Sequence, residues 1–301
     1  MLIVQILIGI PGSGKSTYAV WKSQEKNWEW ISSDSIRKEL TGSEEDQTIN
    51  SKVFNLMYQR TIAALGLGHH VIYDATNLSS KNRMNFIKQV KSKFPKTYFI
   101  ATVFAVPYEI CCTRNLERER TVPQYVMDRM LKNFTVPAQA EGFDKIEVIG
   151  NDETEVNLQK KLEIARKIPH DNPHHQLTIG EHMNKAYWEY WNSTDLPHRW
   201  DIGMALQFHD IGKQFCKVFT DAKGLPTEIA HYYGHENAGA YFILSAAPAL
   251  REQEYLYVAL LVNHHMDFFK SEKYLNKIRS LYGEDFYRDL EIIHHFDEAA
   301  H

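Results

Sequence analysis

The stretch Gly9-Ile10-Pro11-Gly12-Ser13-Gly14-Lys15-Ser16 restricts this chain more than any other. Glycine, four residues, then Gly-Lys-Ser is the pattern of a loop that cradles phosphate, and it needs a strand before it and a helix after it. Both flanks are present. Leu2 to Ile8 is a nearly continuous apolar run with β-branched residues, as a strand buried on both faces requires. Thr17 to Trp21 begins a helix. Orphan backbone N–H groups and the positive end of the helix dipole then converge on one anion site. Gly12, Ser13, Gly14, Lys15, Ser16 and Thr17 are the expected contacts to ATP, with Lys15 on the β and γ phosphates and Ser16 on Mg²⁺.

The residues that follow suit the same chemistry. Trp28 to Ser33 reads as a second strand and ends at Asp34, with Arg37 three residues on. A carboxylate at the carboxyl end of a parallel strand lies where such sheets place ligands, and there it can take the proton of an attacking hydroxyl. The competing reading of Asp34 is a helix N-cap. Residues 41–50 read as a polar loop and Val53 to Leu65 as a helix. His70 to Tyr73 is a third strand, closed by Asp74-Ala75-Thr76-Asn77. Asp74 stands where phosphate-loop enzymes hold Mg²⁺ through water, or simply in a turn. Lys81 to Lys96 carries six basic residues and no acidic one, which reads as a solvated helix face. Tyr98 to Phe104 is a further strand. Arg114 and Arg118, four apart, share one helical face with Arg120 close by. Guanidiniums so placed suit the charge on a transferring phosphoryl group, unless Glu117 and Glu119 claim them. Val122-Pro123 breaks this element, Gln124 to Asn133 is helical, and Ile146 to Ile149 is a last strand.

At 301 residues two domains are expected. The fold reading is an α/β P-loop domain over 1–150, three-layered with a parallel sheet, a linker over 151–171, and an all-α domain over 172–301. No apolar run reaches membrane-spanning length, and the first strand feeds directly into the glycine loop, unlike a signal peptide. Cys111, Cys112 and Cys216 form neither a disulfide framework nor a zinc knuckle, so a reducing cytoplasm is the expected setting. The formal charge of −4 means that any nucleic acid must be met by local basic patches.

Of fifteen histidines, most fall after residue 169. His182, His209-Asp210, Gly234-His235-Glu236, His264-His265 and Asp297 punctuate helices rich in apolar residues. A buried imidazole or carboxylate needs partners, and one metal ion satisfies several together. Donors of this kind without thiolate suit Mn²⁺, Fe²⁺, Co²⁺, Zn²⁺ or Mg²⁺. His69, His70, His170, His198 and His231 read as surface or capping residues. Tyr187, Trp188, Tyr190 and Trp191 read as core rather than as a base-stacking platform.

The first 150 residues resemble the kinase domain of the bacteriophage polynucleotide kinases. The phosphate loop, Asp34 with Arg37, the turn at Asp74–Asn77 and the Arg-Asn-x-x-Arg segment Arg114–Arg118 before Val122-Pro123 carry the likeness. The resemblance implies that Asp34 is the general base on a 5′-hydroxyl, that Arg37 holds the acceptor's phosphate, and that lid residues Arg114 and Arg118 grip the donor. The family's turn places its acid one residue later, where this chain has Ala75. The second half resembles the HD phosphohydrolase superfamily, and its opening around His182 looks most like the HD domains of tRNA nucleotidyltransferases. That likeness implies a first metal on His182, His209, Asp210 and Asp297, and a second on His235 and His264 bridged by Asp210. His265 stays open as an alternative to His264, and Asp267 as a rival to Asp297. Two such metals, about 3.5–4 Å apart, activate water and clamp phosphoryl oxygens. Lys213 is either a neutraliser of the departing phosphate or an exposed lysine.

Together the likenesses imply an end-healing enzyme acting on 5′-OH and 3′-phosphate ends of RNA or DNA, with catalytic Lys15, Asp34, Arg37, Arg118 and Asp210. A nucleic-acid ligase is the expected functional partner. Two rivals remain. One is a small-metabolite kinase joined to a nucleotide phosphohydrolase, and the other an NTP-driven switch with a ligand-binding HD half.

Overall fold

The computed structural model describes residues 1–44, 46–150, 158–173, 176–248 and 250–300. Its contacts divide the chain into two units, Met1–Met127 with Pro137–Ile149, and Asp128–Val136 with Gly150–His301. The first third of the expected linker, residues 151–157, and the pair His174-His175 lie outside the described residues.

The first unit alternates strands and helices: β1 (Ile3–Ile8), α1 (Lys15–Lys22), β2 (Trp28–Ser32), α2 (Ser33–Thr41), α3 (Asn50–Gly66), β3 (His70–Asp74), α4 (Ser80–Lys93), β4 (Tyr98–Phe104), α5 (Tyr108–Leu116), α6 (Gln124–Lys132) and β5 (Lys145–Ile149). The boundary between the units falls within α6. All five strands are parallel, in the order β2-β3-β1-β4-β5. β1 is central, and Val4, Ile6, Leu7 and Ile8 on both its faces are buried, which explains its lack of polar alternation. The phosphate loop, Asp34 and Asp74 therefore follow or end three strands at one edge of the sheet, where open α/β sheets hold ligands.

Three local expectations change. Asp34 is not the cap of α2: Ser32 is, its hydroxyl accepting from the Ser35 N–H at 3.3 Å. α5 stops at Leu116, so Arg114 and Arg118 do not share a helical face. The reason is Asn115, whose side chain accepts from the Val122 N–H at 3.0 Å and donates to the Val122 carbonyl at 2.8 Å. It thereby gives the backbone an alternative to helix and closes residues 116–121 into a loop. Arg83, from the basic run, is not solvated either. It is buried and pairs twice with buried Glu141, Nε to Oε2 at 2.7 Å and Nη2 to Oε1 at 2.6 Å.

The second unit contains α7 (Leu158–Ala165), α8 (Ile179–Asn192), α9 (Trp200–Phe208), α10 (Lys213–Cys216), β6 (Val218–Thr220), β7 (Pro226–His231), α11 (His235–Ser245), α12 (Glu252–His264), α13 (Glu272–Tyr282) and α14 (Glu284–Ala299). It is helical except for the antiparallel ribbon β6–β7, a departure from an all-α reading. α11 is apolar nearly all round and buried, as a central helix is. Segment 128–136 belongs to this core. Phe134 is fully buried with its ring edge-on to Tyr241 at 5.1 Å, and the Val136 N–H donates to Asn263 Oδ1 at 3.0 Å. The sequence reading sets one boundary near residue 150, because nothing in the periodicity of 128–136 names the partner of its apolar face. Among the described residues no helix is long and apolar enough to cross a membrane.

Candidate functional site

In the first unit the glycine loop has the backbone its sequence demands. Gly12 has φ 79° and Gly14, which caps α1, has φ 94°. A Cβ on Gly12 would lie 2.3 Å from the Cys111 carbonyl oxygen, so only glycine lets α5 approach the loop. Lys15 is buried, and its Nζ donates to the Ile10 carbonyl at 2.8 Å and to Ser13 Oγ at 3.3 Å. Burial lowers the Lys15 pKa, the Asp74 carboxylate opposes this, and nearby Arg118 adds to it, leaving the amine at about 8. Arg118, though off the helix, thus still places its charge near the loop, and Thr17 is exposed at the start of α1. Arg114 lies part-exposed on the last turn of α5.

Ser16 Oγ donates to Asp74 Oδ2 at 3.3 Å, which brings together the two side chains expected around Mg²⁺. Trp30 Nε1 donates to the same oxygen at 3.0 Å. Burial pushes the Asp74 carboxyl up, and Lys15 with these two donors only partly offsets it. Beside them, Asp34 Oδ1 accepts from Arg37 Nη1 at 2.7 Å. Arg37 is buried and is held from the other side by Asn50 Oδ1 at 2.9 Å. Arg120 Nη1 lies 3.7 Å from Asp34 Oδ2 and 3.4 Å from Glu44 Oε2. The half-exposed Asp34 carboxylate therefore has one oxygen held closely by Arg37 and the other in a looser ion pair with Arg120.

In the second unit five side chains converge on Asp210. Its Oδ2 lies 3.5 Å from His209 Nε2, 3.7 Å from His182 Nε2 and 2.6 Å from Lys213 Nζ. Its Oδ1 lies 3.2 Å from His235 Nε2 and 3.7 Å from His265 Nε2. Asp297 Oδ1 closes the first group, 2.8 Å from His182 Nε2 and 3.2 Å from His209 Nε2. All of these residues are buried. His265, not His264, faces the centre. Both follow from the last turn of α12, where one residue turns the ring by about 100°. His264 instead pairs with Asp267 at 2.6 Å, which Lys270 also holds, so Asp267 is outside the cluster and Asp297 within it. Lys213 is not an exposed lysine. His170, read as a surface or capping residue, is buried with its ring 5.6 Å from that of His182.

The cluster fits a cation on its own chemistry. His209, His235 and His265 each set Nδ1 2.7–2.8 Å from a backbone carbonyl, of Leu206, Tyr232 and Val262, and His182 faces Ala300 O at 3.4 Å. A carbonyl only accepts, so Nδ1 carries the hydrogen and each neutral ring turns a bare Nε2 inward. His182 and His209 then meet Nε2 to Nε2 at 3.2 Å, and His235 and His265 at 3.3 Å. Facing lone pairs repel unless something positive lies among them. Burial disfavours a proton on His209, while Asp297 and Asp210 favour positive charge there and outweigh it, the charge that a cation among these rings would supply in place of a proton. Despite burial, Asp210 is held far below the usual carboxylate range by Lys213 and His209. Two triads, His182–His209–Asp210 and Asp210–His235–His265, share Asp210 and have metal-ligand spacing.

Residues 4–137 match a family model described as an AAA domain. That match, the phosphate loop and the parallel sheet with flanking helices fit a P-loop kinase-type α/β domain, a class that uses ATP and Mg²⁺. The chain is 29% identical over 191 residues to the L-seryl-tRNA(Sec) kinase of Methanococcus maripaludis, covering 56% of this chain and 71% of that protein. It is 27% identical over 172 residues to "Transcription factor bHLH140" of Arabidopsis thaliana, covering 53% of this chain but only 17% of that protein. Among solved structures, it is similar to a chain of the Pnkp1/Rnl/Hen1 RNA repair complex, at 24% identity and TM-score 0.38, over 44% of this chain and 43% of that one. A gluconokinase from Sinorhizobium meliloti 1021 is similar at 13% identity and TM-score 0.35, over 50% and 83%.

Proposed function

We propose that this chain is a nucleic-acid end-healing enzyme with two centres. The first moves the γ-phosphate of ATP to a 5′-hydroxyl of RNA or DNA. The second, of HD phosphohydrolase type, removes a 3′-phosphate or opens a 2′,3′-cyclic phosphate. The observation that carries the first assignment is the Asp34–Arg37 pair, whose carboxylate is close enough to Lys15 to act on its charge. A pure NTP switch has no use for a base and a buried guanidinium at an acceptor position. In this reading Asp34 accepts the proton as the hydroxyl oxygen attacks the γ-phosphorus, and ADP leaves. Lys15 and Arg118 offset the charge that develops on the phosphoryl oxygens.

In the second centre His182, His209, Asp210 and Asp297 would hold one divalent ion and Asp210, His235 and His265 another. Bound there, the ions supply a nucleophilic hydroxide and polarise the phosphoryl group. Lys213 keeps Asp210 ionised and adds positive charge where phosphate is expected. Breakage that leaves 5′-OH and 3′-phosphate ends needs both activities before a ligase can act, which makes a ligase the functional partner.

The relation to a kinase of seryl-tRNA favours a second reading of the acceptor, as a hydroxyl carried on RNA other than its 5′ end. Radiolabelled ATP offered to 5′-OH RNA, 5′-OH DNA, nucleosides and seryl-tRNA in parallel separates these. Transfer to oligonucleotide ends is expected, lost in Lys15→Ala and Asp34→Ala while 3′-phosphatase activity remains. Asp210→Ala is expected to do the reverse. Loss of both activities from Asp210→Ala in a folded protein would refute separate centres.

A further inference from the structure

β2 and β3 are parallel, with Trp30 opposite Ile72 and Ser32 opposite Asp74. Alternate residues share a face, so Trp30 and Asp74 are diagonal neighbours on one face of the sheet. Trp30 packs its apolar ring beside the cluster of Leu7, Ala19, Ile72 and Phe104, which seats it against α1 and β1. The anchored ring leaves its one donor, Nε1, 3.0 Å from Asp74 Oδ2. The same oxygen takes the Ser16 hydroxyl at 3.3 Å. Asp74 is buried and lies on the last residue of β3. Among the described residues, Trp30 and Ser16 supply the side-chain hydrogen bonds to its carboxylate, and a buried charged acceptor without donors is costly.

We propose that Trp30 is a positioning residue for the nucleotide's divalent cation. Its indole N–H fixes the rotation of the Asp74 carboxylate so that Asp74 and the Ser16 hydroxyl act as a pair on Mg²⁺. This rests on the kinase reading above and goes further, because a tryptophan on the neighbouring strand, not the loop itself, sets how tightly Mg²⁺ couples to nucleotide binding. Phenylalanine keeps the apolar packing and deletes the donor. Trp30 touches neither nucleotide nor metal in this scheme, so its removal separates the Mg²⁺-linked part of binding from the rest.

The test is calorimetric titration of the full chain with a non-hydrolysable ATP analogue, with and without Mg²⁺. In wild type, Mg²⁺ is expected to strengthen binding. Trp30→Phe is expected to leave Mg²⁺-free binding unchanged and to reduce the Mg²⁺-dependent gain about tenfold, the scale of one hydrogen bond to a charged group. In an Asp74→Ala background the same substitution is expected to change nothing further. Equal weakening with and without Mg²⁺, or an effect that persists without Asp74, overturns the proposal and makes Trp30 a packing residue. Absence of any Mg²⁺-linked nucleotide binding in wild type instead overturns the kinase reading. Should Trp30→Phe not fold, the indole N–H resonance of Trp30 in the wild-type protein decides: it is expected to shift when Mg²⁺ is added to the nucleotide complex, and a stationary resonance counts against the proposal.

Discussion

Single groups set the pH and metal behaviour of the two centres. Lys15 stands at about 8 in the ligand-free protein because burial outweighs the pull of Asp74. Phosphates favour its charged form, so nucleotide affinity is full below that pH and falls as pH rises through it. Titrations between pH 7 and 9 are expected to show this decline in wild type and not in Lys15→Met. Asp210 has the opposite character, a carboxylate held ionised at the meeting point of four imidazoles and Lys213. If the cluster holds metal as proposed, elemental analysis of the purified protein is expected to find bound transition metal in wild type and none in Asp210→Asn. His264→Ala is expected to retain it and His265→Ala to lose at least one equivalent, because only His265 turns Nε2 toward Asp210.

At the scale of elements, buried polar ties hold the catalytic edge of the sheet in place. Arg83 on α4 pairs with Glu141 and also donates to the Asn77 and Leu78 carbonyls at 2.9 and 3.1 Å, which clamps the turn after Asp74. Removing one partner of a buried pair strands the other charge, so Glu141→Ala is expected to cost about 3–5 kcal/mol in denaturant unfolding. Asn115 plays the lighter role of closing the 116–121 loop onto Val122. Asn115→Ala is expected to loosen Arg118 and Arg120, raising the KM for ATP several-fold with little change in midpoint temperature. A midpoint drop with unchanged KM would assign Asn115 to the fold alone.

At the scale of the whole molecule, the helical unit is built partly from an earlier stretch of chain. Lys132 O accepts from Asn237 Nδ2 at 2.6 Å, Asn237 Oδ1 from Asn263 at 2.7 Å, and Asn263 in turn binds the Val136 N–H. This relay runs beside His235 and His265, and a Cβ on Gly234 would lie 2.6 Å from Lys132 O. A fragment beginning at residue 150 is therefore expected to unfold at lower denaturant than one that also receives a 128–136 peptide. Equal midpoints with and without the peptide would contradict that expectation.

The nucleotide half was largely legible because its chemistry is local. Glycines, lysine and serine at fixed spacing need only a strand before and a helix after, and periodicity supplies both. The strand ends at Asp34 and Asp74 could be read for the same reason. The clustering of imidazoles and carboxylates in the helical half was also visible as residue types, since imidazoles amid apolar residues require a partner. Tertiary structure alone decided which atoms meet. His264 and His265 are identical in composition and adjacent in sequence, and only the turn of α12 against Asp210 separates them. Trp30, Arg83 and Asn115 carry no motif, because their roles arise from partners 44, 58 and 7 residues away. Distance along the chain hides such contacts, while burial, which makes an unpaired polar group expensive, is what enforces them in the fold.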